Sequence, residues 1–207
     1  MQDVILLTGA GQIGLAIARR MGHGKKIVVS DKNINNAQTV TKIMAEAGFD
    51  AVAVEADISS RKSILNMIAA AQKYGEIAML INAAGVSPSQ ASVETILKVD
   101  LYGTAVLLEE VGKVIKAGGT GVTISSQSGH RMAALGAETE LLQLEVLKPA
   151  NIKDTLHAYQ MAKRCNVKRV MAEAIKWGVK GARINSISPG IIVTPLALDE
   201  FNGPRGE

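Results

Sequence analysis

The chain is predicted to fold as an α/β protein, a doubly wound parallel sheet covered by helices on both faces. Three observations predict it. Short β-branched runs alternate with longer amphipathic runs along all 207 residues. The short runs carry little charge, as strands buried on both faces do. A glycine-rich turn joins the first short run to the first long one.

The elements follow in order. "VILLT" (4–8) is the first strand, and "QIGLAIARRM" (12–21) the first helix. "KIVVS" (26–30), a helix over 34–47, "AVAVEA" (51–56) and a helix over 60–74 come next. "IAMLIN" (77–82), a long helix over 92–116 and "GVTISS" (121–126) continue the series. A helix over 157–177 and "ARINSIS" (182–188) complete it. Asp57 to Ser60 supply cap-type residues before the third helix. Gly48, Gly75 and Gly118–Gly119 stand where helices should stop. Repeated β-α units imply right-handed crossovers. No repeat, low-complexity tract or linker divides the chain, so a single domain over 1–207 is expected. The segment 131–156 falls outside the alternation. Leu141, Leu142, Leu144, Val146 and Leu147 would make one face of an amphipathic helix there. It reads equally as a packed surface helix or as an inserted lid against the substrate.

Composition narrows the function classes. Hydrophobic residues make up 47% and aromatics 3%, so the core must be aliphatic. The net charge is +4, but Lys and Arg are dispersed, with no basic block and no aromatics interleaved with one. No nucleic-acid partner is expected. Cys165 is the only cysteine, and no cluster suggests a metal site. The opening "MQDVILLTGAGQ" is not a signal peptide. No apolar run approaches the roughly 20 residues that span a bilayer. A soluble cytoplasmic protein, with no membrane partner, is the expectation.

Chemistry enters with "LLTGAGQIGLAI". Gly9, Gly11 and Gly14 form G-x-G-x-x-G between a strand and a helix. Such glycines allow a tight turn, close approach of backbone to a pyrophosphate, and close helix–strand packing. The helix start at Gln12 and Ile13 adds N–H donors and the positive end of the dipole. Asp31, ending the second strand, stands where a carboxylate accepts from adenosine ribose hydroxyls and repels a 2′-phosphate. That favours NAD over NADP, although Lys32 beside it softens the repulsion.

"HAYQMAKR" places Tyr159 and Lys163 one helical turn apart on one face. A free phenol titrates near pH ~10, and a nearby ammonium lowers that by roughly 1–3 units. Such a pairing brings a phenol toward working pH, where proton transfer is most efficient.

With these residues side by side, the chain resembles the short-chain dehydrogenase/reductase family, nearly end to end. "TGAGQIG" is similar to its glycine motif, though one residue shorter. "ADIS" resembles the adenine-contacting stretch after the third strand, which implies Asp57 and Ile58. "INAAG" resembles the motif after the fourth strand, which implies Asn82, Ala83 and Ala84 beside the cofactor. "TISSQSG" carries an active-site serine, Ser126 by this alignment. "YQMAK" supplies Tyr159 and Lys163, and "NSISPGIIVTP" implies Pro189, Gly190, Ile192 and Thr194 around the nicotinamide.

The resemblance implies a three-layer Rossmann-type fold with strand order 3-2-1-4-5-6. It implies Tyr159 as general acid/base, Lys163 on the nicotinamide ribose and Ser126 orienting the substrate oxygen. A homodimer or homotetramer, packed through the long helices, is implied in the same way. Three features depart from the family. The interval between Ser126 and Tyr159 is longer by the 131–156 segment, as in a subset similar to bacterial hydroxysteroid dehydrogenases and carbonyl reductases. Asp100 stands where the family has an Asn that kinks a helix and holds a water of a proton relay; as an Asp it could hold that water in another way or pair with Lys163, and either makes it a further catalytic candidate. The chain ends early, so the family's seventh strand is missing from it.

His130, after the serine motif, is a candidate substrate-site residue. The expected function is an NAD(H)-dependent oxidoreductase that interconverts a secondary alcohol and a ketone. The other reading is a catalytically impaired NAD-binding sensor of the same fold.

Overall fold

A computed structural model describes residues 2–131, 152–195, 197, 198 and 202. Six strands form one parallel sheet in the order β3-β2-β1-β4-β5-β6. They are β1 (Gln2–Thr8), β2 (Lys26–Asp31), β3 (Asp50–Glu55), β4 (Gly75–Asn82), β5 (Thr120–Ile124) and β6 (Arg183–Ile187). The crossovers carry α1 (Gln12–Met21), α2 (Ile34–Glu46), α3 (Arg61–Gln72), α4 (Val93–Ile96), α5 (Thr104–Val114) and α6 (Thr155–Gly178). This is the Rossmann-type architecture and the strand order expected of the sequence.

Strand alternation builds both faces at once. In β1, Val4 and Leu6 turn to the layer of α3, α5 and α6 and pack with Ile64, Met67, Leu107 and Val111. Ile5 and Leu7 turn the other way, onto Leu15, Ala18, Val40 and Met44 of α1 and α2. All four strand residues are fully buried. Burial of side chains of this size stabilises by roughly 1.5–3 kcal/mol each. Among the described residues Trp177 is the fully buried aromatic, seated where Gly112 and Gly121 leave room for it. A Cβ on Gly112 would lie 2.5 Å from the indole nitrogen, which donates to the Leu108 carbonyl.

Three expectations need adjusting. The long helix over 92–116 is not uniform. Between α4 and α5 the residues Leu97–Gly103 form a π-helical segment, with Asp100 at its centre. β5 stops at Ile124, two residues before the expected end; the Ser125 N–H still donates to the Ile187 carbonyl of β6, and its hydroxyl donates to the Lys163 carbonyl of α6 at 2.7 Å. α6 starts at Thr155, capped by Asp154, whose carboxylate accepts from the His157 N–H at 2.7 Å. The rest of the expected 131–156 insertion, residues 132–151, lies outside the described residues.

Register aligns the carboxyl ends of the strands. Thr8 sits level with Ser30 on one side and Asn82 on the other, and Asn82 is level with Thr123. The order reverses between β1 and β4, so a crevice opens at that edge, where open α/β sheets bind ligands.

Candidate active site

The crevice is an open cleft of about 600 Å³. The glycine turn forms its floor, and each glycine has a different reason to be there. Gly9 has φ +84°, and a Cβ on it would lie 2.5 Å from the Ala84 nitrogen. That contact is backbone on backbone and cannot relax. A Cβ on Gly14 would meet the Leu7 side chain at 2.8 Å, which fixes how closely α1 lies on β1. A Cβ on Gly11 would meet nothing within 4 Å. Gly11 therefore leaves backbone exposed toward the cleft rather than packing against the protein. No side chain caps α1 at Gly11. Its first N–H groups, at Gln12 and Ile13, border the cleft with the positive end of the helix dipole. These features fit a pyrophosphate: room for close approach, free donors and favourable charge.

The end of the cleft at Asp31 and Asp57 is built from turn chemistry. Asp31 accepts from the Ala10 N–H (3.0 Å) and the Asn33 N–H (2.9 Å), with the Asn36 amide at 3.5 Å. Asp57 accepts from the Ser59 N–H (2.9 Å) and hydroxyl (2.6 Å) and pairs with Lys32 at 3.0 Å. Burial raises the Asp57 carboxyl, but the Ser59 donors and the Lys32 charge outweigh it and hold it below the ordinary range. Ile58, Ala83, Ala84 and Thr194 also line the cleft. Asn82 does not: its side chain is buried, accepting from Thr8 at 2.8 Å and donating to Thr104 at 3.4 Å. It joins β1, β4 and α5 beneath the site. Ser30, Asn36, Gln90, Val99 and Pro195 line the cleft and were missed in the sequence. Asn36 had a readable signal, one helical turn into the helix that follows Asp31.

Behind Gly85, which lines the cleft, β5, α6 and the π-helical segment meet, and Ser126, Tyr159, Lys163 and Asp100 gather there rather than on the cleft's own lining. Lys163 is buried, its Nζ 3.4 Å from the Ile124 carbonyl and 3.5 Å from Asp100 Oδ2. The same ammonium lies 5.3 Å from the centre of the Tyr159 ring. Burial pulls Lys163 down, but the Asp100 carboxylate, then Tyr159, outweigh it and keep the ammonium protonated above its ordinary value. Burial pushes Asp100 up, against the pull of Lys163 and the Val86 N–H. Ser126 follows β5 at once, its Oγ accepting from the Ser128 N–H at 3.1 Å. Residues Gln127–Arg131 form a 3-10 turn, and a Cβ on Gly129 would lie 2.7 Å from the Arg164 nitrogen of α6. That close approach holds the serine loop against the helix of Tyr159 and Lys163.

After β6, the Pro189 carbonyl accepts from the Gln127 N–H at 2.9 Å, and Gly190 faces the Gln127 side chain. His130 reaches Ser188 at 3.0 Å and ties the same two loops. Ile192 is half-exposed, and Thr194 caps the turn that follows by accepting from the Ala197 N–H. Among the described residues no cluster of His, Cys, Asp and Glu fits a metal ion.

Known proteins agree with this architecture. The family model for short chain dehydrogenases matches residues 3–138. A short-chain dehydrogenase/reductase of Alternaria brassicicola is 37% identical over 100% of this chain and 79% of its own length. D-threitol dehydrogenase of Mycolicibacterium smegmatis is 29% identical over 99% of this chain and 75% of its own. Among solved structures, a variant of actinorhodin polyketide ketoreductase with NADPH has a TM-score of 0.75 at 25% identity, covering 97% of this chain and 75% of that one. A 7α-hydroxysteroid dehydrogenase with NADH and a 7-oxo bile acid has a TM-score of 0.76 at 24% identity, a likeness of fold, over 95% of this chain and 74% of that one. With a glycine turn, a cleft at the strand-order reversal and a Tyr–Lys helix beside it, the chain belongs to the short-chain dehydrogenase/reductase family, oxidoreductases that bind a nucleotide cofactor.

Proposed function

We propose that this chain is an NAD(H)-dependent oxidoreductase that interconverts a secondary alcohol and a ketone. The observation that carries the reading is the buried Lys163 ammonium 5.3 Å from the Tyr159 ring and packed against Gly85, which lines the glycine-floored cleft. An ammonium there favours the phenolate, so Tyr159 takes the hydroxyl proton of the alcohol or returns it to the ketone oxygen. Ser126 donates its hydroxyl to the same oxygen and fixes its direction. Lys163 also holds the nicotinamide ribose. Gly9, Gly11, Gln12, Ile13 and Gly14 take the pyrophosphate. Asp31 takes the ribose of adenosine, and Asp57 and Ile58 the adenine. Ala83, Ala84, Pro189, Gly190, Ile192 and Thr194 complete the cofactor wall, and Asn82 supports it from beneath through Thr8 and Thr104. When bound, the nicotinamide supplies or accepts the hydride. The chain's own contribution is placement of the proton donor and the substrate oxygen.

Asp31 supports NAD over NADP. Its carboxylate is fixed by the Ala10 N–H at the mouth of the glycine turn, where a 2′-phosphate would meet a negative charge. Lys32 is committed to Asp57 and does not neutralise it. The described residues contain no helix long and apolar enough to cross a membrane, which supports a cytoplasmic site of action. Met171 and Ile175 of α6 and Val179 at its C-cap leave an exposed apolar stripe, which supports a homodimer or homotetramer.

The test is Tyr159→Phe against a panel of secondary alcohols with NAD. Loss of roughly 10²–10⁴ in turnover is expected, the usual worth of general acid/base catalysis. Unchanged turnover would sink the enzyme reading and leave a nucleotide-binding sensor. Calorimetric titration of NADH and NADPH tests the cofactor separately. Equal affinities would overturn the role given to Asp31.

A further inference from the structure

Asp100 is an ionisable group in an unusual place. Its side chain is 0% exposed, and that of Lys163 is 7% exposed. Oδ1 accepts from the Val86 N–H at 2.9 Å. Oδ2 has no hydrogen-bond partner and faces Lys163 Nζ at 3.5 Å. A buried carboxylate with a half-satisfied head is costly unless an opposite charge stands beside it. Gly85 leaves the space for this meeting: a Cβ on it would lie 3.2 Å from Asp100 Oδ1 and 3.3 Å from Lys163 Nζ. The π-helical segment Leu97–Gly103 carries the carboxylate to that point, and local π-helical turns are frequent at functional sites.

Other charges around the pair are engaged elsewhere. Lys98, on the π-helical segment, pairs with Glu94 of α4 at 2.7 Å in solvent. His130 of the 3-10 turn bonds to Ser188, and Arg131 is exposed. Glu109 and Glu110 of α5 are held by Arg61 and Lys113, and Glu173 of α6 by Arg169 and Lys176. Arg183 of β6 is exposed. β5 and the loop after β4 bring no titratable group. Asp100 is the carboxylate that pairs with Lys163, and the Tyr159 ring lies beside the same ammonium.

We propose that Asp100 is a positioning residue: an ionised carboxylate that pins the Lys163 ammonium and divides its charge, so that Tyr159 gives up its proton at a higher pH than a neutral partner for Lys163 would allow. This deepens the assignment of Tyr159 and Lys163 as the acid–base pair and rests on it. The sign is simple. Positive charge beside a phenol favours the phenolate, and a negative charge that offsets it works against the phenolate. Asp100 thereby sets the pH window of turnover without touching the substrate.

The experiment is an alkaline titration of tyrosinate absorbance, read as the difference between each protein and its Tyr159→Phe counterpart. It is run in the wild-type and Asp100→Asn backgrounds and needs no substrate. Asn keeps an acceptor for the Val86 N–H and removes the charge. The Tyr159 midpoint is expected about half a unit to one unit lower in Asp100→Asn, as for a charge acting across one intervening group. Asp100→Glu should bring it back to within a few tenths. An unmoved or raised midpoint overturns the proposal. Loss of thermal stability with an unmoved midpoint is the signature of a purely structural carboxylate and counts against it too. Should Asp100→Asn not fold, Asp100→Ser carries the same comparison. Failure of the acid–base reading shows separately, as Tyr159→Phe that still turns over.

Discussion

The cleft and the junction that adjoins it at Gly85, the nucleotide end and the catalytic end of the site, are built on different physics. The nucleotide end is made of turns. Gly9, Ala10, Gly11, Asp31, Asn33, Asp57 and Ser59 act through backbone groups and short side chains, mostly within a few residues of one another. The catalytic end is a junction. Lys163, Asp100, Ile124 and Gly85 come from four separate parts of the chain and meet in the interior. At the first end the geometry is local and water is near, so single contacts contribute little and the backbone shape carries the function. At the second the geometry is long-range and dry, so one charge decides the behaviour of its neighbours.

The sharpest way to break this contrast is to disturb backbone shape at the nucleotide end. Gly9→Ala puts a Cβ at φ +84° and 2.5 Å from a backbone nitrogen of the next strand's loop. The left-handed conformation alone costs roughly 1–2 kcal/mol for a residue with a Cβ, and the clash adds to it. A loss near ~3 kcal/mol is expected, measured by urea denaturation, together with loss of NADH binding. Gly11→Ala meets nothing within 4 Å of the protein. It should leave stability almost unchanged and weaken only the cofactor. If the two variants were equally unstable, the division of labour within the turn would be wrong.

The same contrast explains what the sequence could reveal. The glycine turn, the acidic end of β2 and the caps at Asp57 and Ser60 are local patterns, and turn chemistry can be read from a few neighbouring residues. Repeated β-α units and their handedness make the parallel sheet with helices on both faces readable, whereas the strand order came from the family resemblance. The junction was less legible. Tyr159 and Lys163 share a helix, so their proximity was readable. That Asp100 reaches Lys163 depends on a π-helical turn, and nothing in the apolar pattern of 92–116 marks it. The run "INAAG" was expected beside the cofactor from the family resemblance, and Ala83, Ala84 and Gly85 of it line the cleft. That Asn82 turns inward to Thr8 and Thr104 was not, because this is settled by how β1, β4 and α5 pack.

A milder probe of the nucleotide end is Asp31→Ala. It removes a carboxylate that serves the Ala10 N–H in the protein and, as proposed, the ribose of NAD. A hydrogen bond to a charged group contributes about 1.5–3 kcal/mol. NADH affinity should fall about tenfold, which corresponds to ~1.4 kcal/mol. NADPH affinity should hold or rise, since the repelling charge is gone. Parallel calorimetric titrations read both. An equal loss for the two cofactors would mean that Asp31 only shapes the turn.

The smallest expected effect is at Asp57, and its pH dependence distinguishes a surface carboxylate from the buried one at Asp100. The carboxyl of Asp57 is held below its ordinary value: burial raises it, and Ser59 and Lys32 more than offset that. A group with a depressed folded value stabilises the protein above its unfolded value, near pH ~3.9, and loses that contribution as pH falls through the folded value. Asp57 and Lys32 both reach solvent, with side chains 32% and 77% exposed, so the pairing is screened. Asp57→Asn should therefore cost no more than about 1 kcal/mol at pH 7. The gap between the two proteins should close below pH ~3.9, as the wild-type carboxylate takes up its proton. Urea denaturation of both proteins at pH 7 and pH 3 measures this. A gap that widened toward low pH would show that the carboxyl is raised on folding, and the nucleotide end would then share the buried electrostatics of the catalytic junction.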